Sequence, residues 1–175
     1  SDGFTLSYTK VTTGGVLFWG LILRGGKYDV GSFQTPTVLG DQSIGSLGFK
    51  PRGVMLASDN RDALETEGGN FERMIAAGTD VGGTVVEDMA WNFNRNLINS
   101  DSDMRQKTTK AIGTYSSTGT TQNEADFKNS YGSGFTLTHT GVDVGTKRIL
   151  FWVFGDAAGS DRFGQSVSDA GDVNA

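Results

Sequence analysis

The stretch GFTLTHTGVDVGTKRILFWVFG, residues 134–155, contains two strand patterns in succession. In its first part, Phe135, Leu137 and His139 alternate with threonines, which is the period-two pattern of a strand with one apolar face. Its second part, RILFWVF, is an almost continuous apolar run, typical of a strand that is covered on both faces. A glycine-containing link joins the two parts, so the stretch predicts a β-hairpin.

A second version of this stretch lies near the start of the chain, as GFTLSYTKVTTGGVLFWG in residues 3–20. The offset is 131 residues from Gly3 to Gly134 and 133 residues from Leu17 to Leu150. A repeat distance of this size matches a whole domain rather than a solenoid repeat. We therefore expect residues 1–25 to repeat the C-terminal hairpin of a module, residues 26–156 to form a β-sandwich module, and residues 157–175 to form a Gly, Ser and Asp-rich tail.

The composition favours strands and tight turns over helices. The 175 residues include 26 glycines and only 2 prolines, with abundant Ser and Thr, and glycine is the residue that tight turns require most often. About eight short strands are recognisable, although residues 104–112 could instead form a short amphipathic helix. The sequence predicts an all-β fold, a two-sheet antiparallel sandwich resembling a jelly roll, with an extra N-terminal β-hairpin.

Charge and hydropathy exclude two classes of partner. The formal net charge is −5 and no basic cluster with interleaved aromatic residues occurs, so no nucleic-acid partner is predicted. The strongest apolar run, residues 16–23, is far shorter than the roughly 20 residues of a membrane-spanning helix. No membrane span is predicted.

The residues that usually carry catalysis are scarce. His139 is the only histidine and cysteine is absent, so a histidine-based triad would have to include His139. Its position on the apolar face of a strand favours a packed core histidine. No nucleophile-elbow, phosphate-loop, dinucleotide or zinc-protease motif occurs. We expect no catalytic, cofactor-binding or metal-binding residues, and no enzyme activity.

Two weaker signals come from acidic residues. Asp101 and Asp103 have a spacing that Ca²⁺ ligands can have, but Asp-rich turns are common without any metal. Glu72 and Glu87 lie beside apolar residues, as one carboxylate of a glycosidase pair does. A chain with 20 acidic residues supplies such pairs by chance, so neither signal predicts a site.

The three tryptophans allow two interpretations. Trp19, Trp91 and Trp152 could form a platform on which sugars stack. Because Trp19 and Trp152 lie inside the doubly apolar runs, a core or interface position is the favoured interpretation.

The doubly apolar runs carry the main functional prediction. A sandwich strand needs only one apolar face, so the second face must be covered by another module, a swapped hairpin or another subunit. We therefore predict a homo-oligomer. The predicted interface residues are Val16, Phe18, Trp19, Leu21, Leu23, Leu150, Phe151, Trp152 and Phe154.

A family resemblance agrees with this prediction. The order VGSF-x-x-PT-x-x-G-x-Q-x-x-x-x-LGF-x-P-x-x-V-x-L, residues 30–56, followed by GFTL and an aromatic-aliphatic strand, resembles a module of structural proteins from tailed bacteriophages and prophages. The similarity covers residues 30–155 and, as the end of a preceding module, residues 3–25. The tail after residue 156 departs from it.

The resemblance implies a jelly-roll sandwich in a capsid-decoration, tail-fibre or spike protein, located in the virion and contacting copies of itself or other virion proteins. It implies no catalytic residues. Two alternatives remain open: a carbohydrate-binding adhesin or receptor-binding module, whose partner is a glycan receptor, and a subunit of an extracellular protein filament. Either of these would act outside the cell or at its surface.

Overall fold

The computed structural model describes residues 26–59, 70–81, 83–95, 102–116 and 119–155. This part of the chain forms strands joined by turns and contains no helix. The strands are β1 (Lys27–Gln34), β2 (Gly40–Ile44), β3 (Gly53–Ser58), β4 (Asn70–Val81), β5 (Thr84–Arg95), β6 (Ser102–Lys107), β7 (Ile112–Tyr115), β8 (Thr121–Tyr131), β9 (Gly134–Gly141) and β10 (Arg148–Gly155).

The strands form two antiparallel sheets. One has six strands in the order β1-β10-β3-β4-β5-β6, and the other has four in the order β2-β9-β8-β7. The prediction of an all-β, two-sheet antiparallel sandwich is therefore confirmed. The helical alternative for residues 104–112 is wrong, because β6 and β7 occupy most of that segment. The extra N-terminal hairpin lies outside the described residues.

The hairpin predicted for the end of the module is also wrong. β9 lies between β2 and β8, whereas β10 lies between β1 and β3 in the other sheet. The six-residue link 142–147 can span up to about 20 Å, and the two sheets of a sandwich are about 10 Å apart. Hydrophobic alternation indicates which face of a strand is buried, but it does not indicate which strand lies beside it.

The first two described strands pair with the last two. β1 pairs with β10, and β2 pairs with β9. The strands from β3 to β6 then follow one another in order across the six-stranded sheet. This arrangement places β10, the doubly apolar strand, inside the sheet beside the edge strand β1.

The core lies between the sheets and is rich in aromatic rings. Phe151 of the six-stranded sheet meets Phe135 of the four-stranded sheet edge-on, with ring centroids 6.0 Å apart. Phe33 packs on the same two rings. Farther along, Trp91 stacks on Phe93 and contacts Tyr115 edge-on at 5.3 Å. Trp91 is 2% exposed, which confirms the core interpretation for this tryptophan.

β2 is short, and the chain bends directly after it. It ends at Ile44, and both Ser46 and Gly48 have positive φ angles, of 68° and 71°. A positive φ turns the chain out of the extended conformation, so the following residues form a corner. The corner is held where Leu47 N donates to Ser133 O at 3.0 Å, and Leu47 is buried.

Candidate assembly surface

The solvent-facing side of the six-stranded sheet, called here the outer face, carries a set of exposed large apolar side chains. In β10, Ile149, Phe151 and Val153 point to the core, so the residues between them point outward. The registers of the other five strands show which of their residues point to the same side as Leu150 and Trp152. Eight outward residues are between 37% and 77% exposed and form the apolar patch: Tyr28, Val30, Met55, Ile75, Val86, Met104, Leu150 and Trp152.

The registers show how the centre of the apolar patch is built. Leu150 lies opposite Ala57, Ala57 opposite Ile75, and Ile75 opposite Ala90. Two residues farther along, a second row runs from Val30 through Trp152 and Met55 to Ala77. Because alanines alternate with larger side chains, the outer face has hollows into which an apposed surface can insert side chains.

Polar groups surround this centre. At the β1 edge, Arg148 donates to Ser32 Oγ at 3.0 Å. At the β6 edge, Gln106 Nε2 donates to Asp88 Oδ2 at 3.2 Å. An apolar centre with a polar rim is the usual composition of a protein–protein interface.

The outer side of the four-stranded sheet is different in character. Its central row runs from Asp41 through Thr138 to Asp126. Lys128 pairs with Asp41, and Thr138 Oγ1 donates to Asp41 Oδ1 at 2.7 Å. The hydrogen bonds from Lys128 and Thr138 lower the pKa of Asp41. The two sheets of one sandwich therefore present a polar face and an apolar face.

The residues predicted for the interface are distributed unevenly. Leu150 and Trp152 lie in the apolar patch, and Phe154 is half-buried. Phe151 is a correction: it is 8% exposed and packs in the core, because adjacent residues of a strand point to opposite faces. The remaining five, Val16, Phe18, Trp19, Leu21 and Leu23, lie outside the described residues.

Six members of the apolar patch were missed by sequence reasoning. The segments RGVMLAS and FERMIAAG contain apolar residues at successive positions around Met55 and Ile75, which is the same doubly apolar signal as in β10. Short alanine-rich strands carry that signal weakly, because alanine is compatible with either face.

A groove of about 790 Å³ lies at one end of the outer face. Ile75, Leu150 and Met104 contribute apolar side chains to its lining, and Arg73, Asn92 and Gln106 contribute polar ones. Trp152 and Tyr28 are not among its lining residues. The groove thus combines apolar and hydrogen-bonding groups without the exposed aromatic pair.

His139 lies in the core, as predicted. It is 1% exposed, and its Nε2 is 2.9 Å from Gln42 Oε1. Burial lowers the pKa of His139 to about 4, so the ring is neutral at neutral pH.

The acidic residues considered in the sequence do not form a common site in the structure. Asp103 lies in β6 rather than in a turn, 3.5 Å from Arg105 Nε, and Asp101 lies outside the described residues. Glu72 is opposite Phe93 and Glu87 is opposite Gly78 on the same strand pair, so they lie about 20 Å apart along the sheet. In the described segments, no group of three or more His, Cys, Asp or Glu side chains is placed to hold a metal.

A partly buried polar cluster connects β6, β7 and β8. Tyr115 donates to Glu124 Oε1 at 2.7 Å, Lys107 pairs with the same oxygen, and Arg105 lies 4.6 Å over the Tyr115 ring. Burial, together with Glu124, raises the pKa of Tyr115. Burial alone would raise the pKa of Glu124, but the hydrogen bonds from Lys107 and Tyr115 outweigh it, and the pKa is lowered. The four side chains contact one another through a hydrogen bond, an ion pair and a cation–π contact, and they connect the two sheets.

The part of the chain that the structure describes has no helix long and apolar enough to cross a membrane. No protein-family model matches the chain, and comparisons with curated proteins and with solved structures found no match to it either.

Proposed function

We propose that this chain is a non-enzymatic structural protein that self-associates through the outer face of its six-stranded sheet. The observation that carries the proposal is the apolar patch. Its eight large apolar side chains lie on one sheet face and are each at least 37% exposed, and a group of exposed apolar side chains on one face marks an interaction surface, unlike apolar residues scattered singly. An exposed surface of this kind is stabilised when another surface removes it from water.

The partner that fits this surface is a second copy of the chain. Two sheets pack face to face with their strands nearly aligned, at about 10 Å. In a two-fold pair the same patch meets itself, so large side chains of one copy can insert beside the alanines of the other.

The resemblance of residues 30–56 to modules of tailed-phage structural proteins supports a biological setting for this assembly. We place the protein in a virion, as a capsid-decoration or tail-fibre component. In that setting, other virion proteins are further partners.

The test of self-association compares two lysine substitutions. Ile75→Lys puts a charge in the centre of the apolar patch, where assembly would bury it without a partner. Ser43→Lys puts the same charge on the exposed polar side of the other sheet. In sedimentation velocity at micromolar concentration, we expect the unmodified chain and Ser43→Lys to be assembled and Ile75→Lys to be monomeric, all three with the same circular dichroism spectrum.

A well-folded, monodisperse monomer of the unmodified chain at micromolar concentration would contradict the proposal. If the chain assembles, electron microscopy of the assembled protein tests the virion setting: a discrete unit with a few copies favours decoration, and a fibre favours a tail-fibre component.

Glycan binding is the second candidate function, favoured by one observation. Tyr28 and Trp152 are diagonal neighbours on the outer face and are 54% and 39% exposed, and exposed aromatic rings can stack on sugars. This candidate ranks second because the polar groups of the groove lie away from both rings. On a glycan array, a bound sugar whose signal is lost in Trp152→Ala but kept in Ile75→Lys would favour it over self-association.

A further inference from the structure

Charged residues lie on both sides of the centre of the outer face, in different rows. The central row consists of Leu150, Ala57, Ile75 and Ala90. Two residues from it along the strands, Arg148 in β10 and Arg73 in β4 form the arginine row with Asn92, which lies opposite Arg73. Because every second residue of a strand points to the same side, both arginines lie on the outer face.

The other side of the central row carries a negative charge. The row on that side, called here the Asp88 row, consists of Trp152, Met55, Ala77 and Asp88. Asp88 is exposed and is the one charged residue of this row. Rows two residues apart are separated by about 7 Å, so the central row lies midway between the arginine row and the Asp88 row.

The groove at one end of the outer face has a lining that is positive on balance. Its charged lining residues are Arg73, Arg105, Arg148 and Asp59. Ala57 and Ala90 of the central row also line it, and because an alanine side chain is a single methyl group, an apposed side chain has room to enter. The groove therefore fits a carboxylate that a second surface carries into it.

We propose that the two self-associated copies pack with their strands antiparallel and their central rows facing each other, so that Asp88 of each copy enters the groove of the other. The inference rests on the proposed self-association and adds its orientation. A two-fold axis along the central row exchanges the rows on either side of it, so the arginine row of one copy faces the Asp88 row of the other. Asp88 of the second copy lies over Asn92, one strand spacing of about 4.8 Å from Arg73.

Two contacts across the pair favour this orientation. The guanidinium group of Arg73 and the amide of Asn92 both offer donors to the carboxylate of Asp88 from the second copy. Trp152 of the second copy lies over Arg148, because both residues are in β10 and their rows are exchanged. A guanidinium group is attracted to the face of an indole ring.

The alternative orientation places like charges together. Two sheets of a sandwich pack with their strands nearly aligned, so the strands of two copies run either antiparallel or parallel. With parallel strands, the two-fold axis runs along the strands and the arginine row of each copy faces the arginine row of the other. Such like-charge contacts cost affinity. The charge pattern thus selects the antiparallel orientation, while burial of the apolar patch stabilises the pair.

Exchanging the two charges tests the orientation. Arg73→Glu brings two carboxylates together in the antiparallel pair, and Asp88→Arg brings two cations together. We expect each single variant to raise the dissociation constant by on the order of tenfold or more. In the chain with both substitutions, opposite charges face each other again, and the constant should return to within about threefold of the unmodified value. Within one copy, residues 73 and 88 are about 14 Å apart, so the recovery arises between copies.

The matched control combines Asp88→Arg with Lys27→Glu. It has the same net charge as the exchanged chain, but Lys27 lies in the edge strand β1, four strands away from Asp88 in β5. We expect this control to associate as weakly as Asp88→Arg alone. Sedimentation velocity at low ionic strength, where charges are screened least, measures all five proteins, and their circular dichroism spectra should be the same.

The outcomes separate this inference from the proposed function. An unmodified chain that stays monomeric overturns both. If the unmodified chain assembles but the exchanged chain recovers no better than the control, the antiparallel orientation is wrong and self-association stands. The same holds if the single variants assemble as tightly as the unmodified chain.

Discussion

His139 shows how a single buried side chain makes this fold sensitive to pH. Its Nε2 faces Gln42 Oε1, and its buried Nδ1 has no hydrogen-bond partner among the described residues. A second proton would place a charge in the core with no acceptor for the new N–H group. The core therefore favours the neutral ring, and the pKa is lowered from 6.5 to about 4.

We predict that the free energy of unfolding decreases as the pH falls below about 6.5. Between pH 6.5 and 4 the unfolded chain binds a proton at His139 and the folded chain does not, so lowering the pH favours unfolding. The expected loss is about 2 kcal/mol between pH 6.5 and 5, measured by urea denaturation.

His139→Gln is the control, because a neutral amide does not titrate. Its stability should not decrease between pH 7 and 5, because Glu87, whose pKa is raised by burial, binds a proton more readily in the folded chain. Glu124 and Asp41 have lowered pKa values and lose their stabilisation only below about pH 4.5, so they do not contribute in this range. An equal pH dependence in both proteins would assign the effect to other groups.

At the scale of elements, β8 is irregular and is held by carboxylates from the opposite sheet. Its register against β9 shifts between Phe127 and Asn129. Glu87 of β5 accepts from Phe127 N at 2.5 Å, and Asp80 of β4 accepts from Ser130 N at 3.2 Å. These side chains supply acceptors for backbone groups beside the bulge, and they connect the two sheets.

Substitutions of Glu87 measure how much one such hydrogen bond contributes to the free energy of unfolding. Glu87→Ala leaves Phe127 N–H without its acceptor, and we expect it to lower the free energy of unfolding by about 1–3 kcal/mol. Glu87→Gln retains an acceptor oxygen but removes the charge, whose burial raises the pKa of Glu87. We therefore expect this variant to lower the free energy of unfolding less than Glu87→Ala does. The measurement is urea denaturation at neutral pH, and equal losses in both variants would show that the hydrogen bond contributes little.

Elements differ in how far the sequence reveals them. β1, β3, β4, β5 and β10 were predictable because alternation and apolar runs are long there. The pairing of β10 with β1 and β3 was not, because pairing depends on contacts between residues more than 90 positions apart. The bulge in β8 was also not predictable, since the carboxylates that accept hydrogen bonds beside it, Glu87 and Asp80, lie on the other sheet.

At the scale of the whole molecule, the two outward sides of the sandwich differ in their contact with water. The row from Asp41 to Asp126 is solvated, whereas the row from Leu150 to Ala90 is apolar. The sequence signal in β10 predicted an apolar outer surface, but locating its centre at Met55 and Ile75 required the registers of three strands.

Self-association through the apolar patch should depend on salt type rather than on ionic strength. Sodium chloride at about 0.5 M screens ion pairs but leaves apolar burial intact, so the assembly should persist. Ammonium sulfate should strengthen it, because sulfate favours apolar burial. Sedimentation equilibrium measures both effects, and dissociation in sodium chloride would indicate an interface held by charges.

The one-sided distribution of apolar surface also sets the valence of the molecule. Within the described residues, the outer face is the one sheet face with many exposed large apolar side chains. Each copy therefore has a single binding surface of this kind. If two copies pair through it, as proposed, the described part of each copy has no second apolar sheet face left for a third copy. An open filament needs two different complementary sides on every subunit. With one apolar sheet face in its described part, the sandwich can cover one other surface, which is what the proposed decoration setting requires and what a filament subunit would have to exceed.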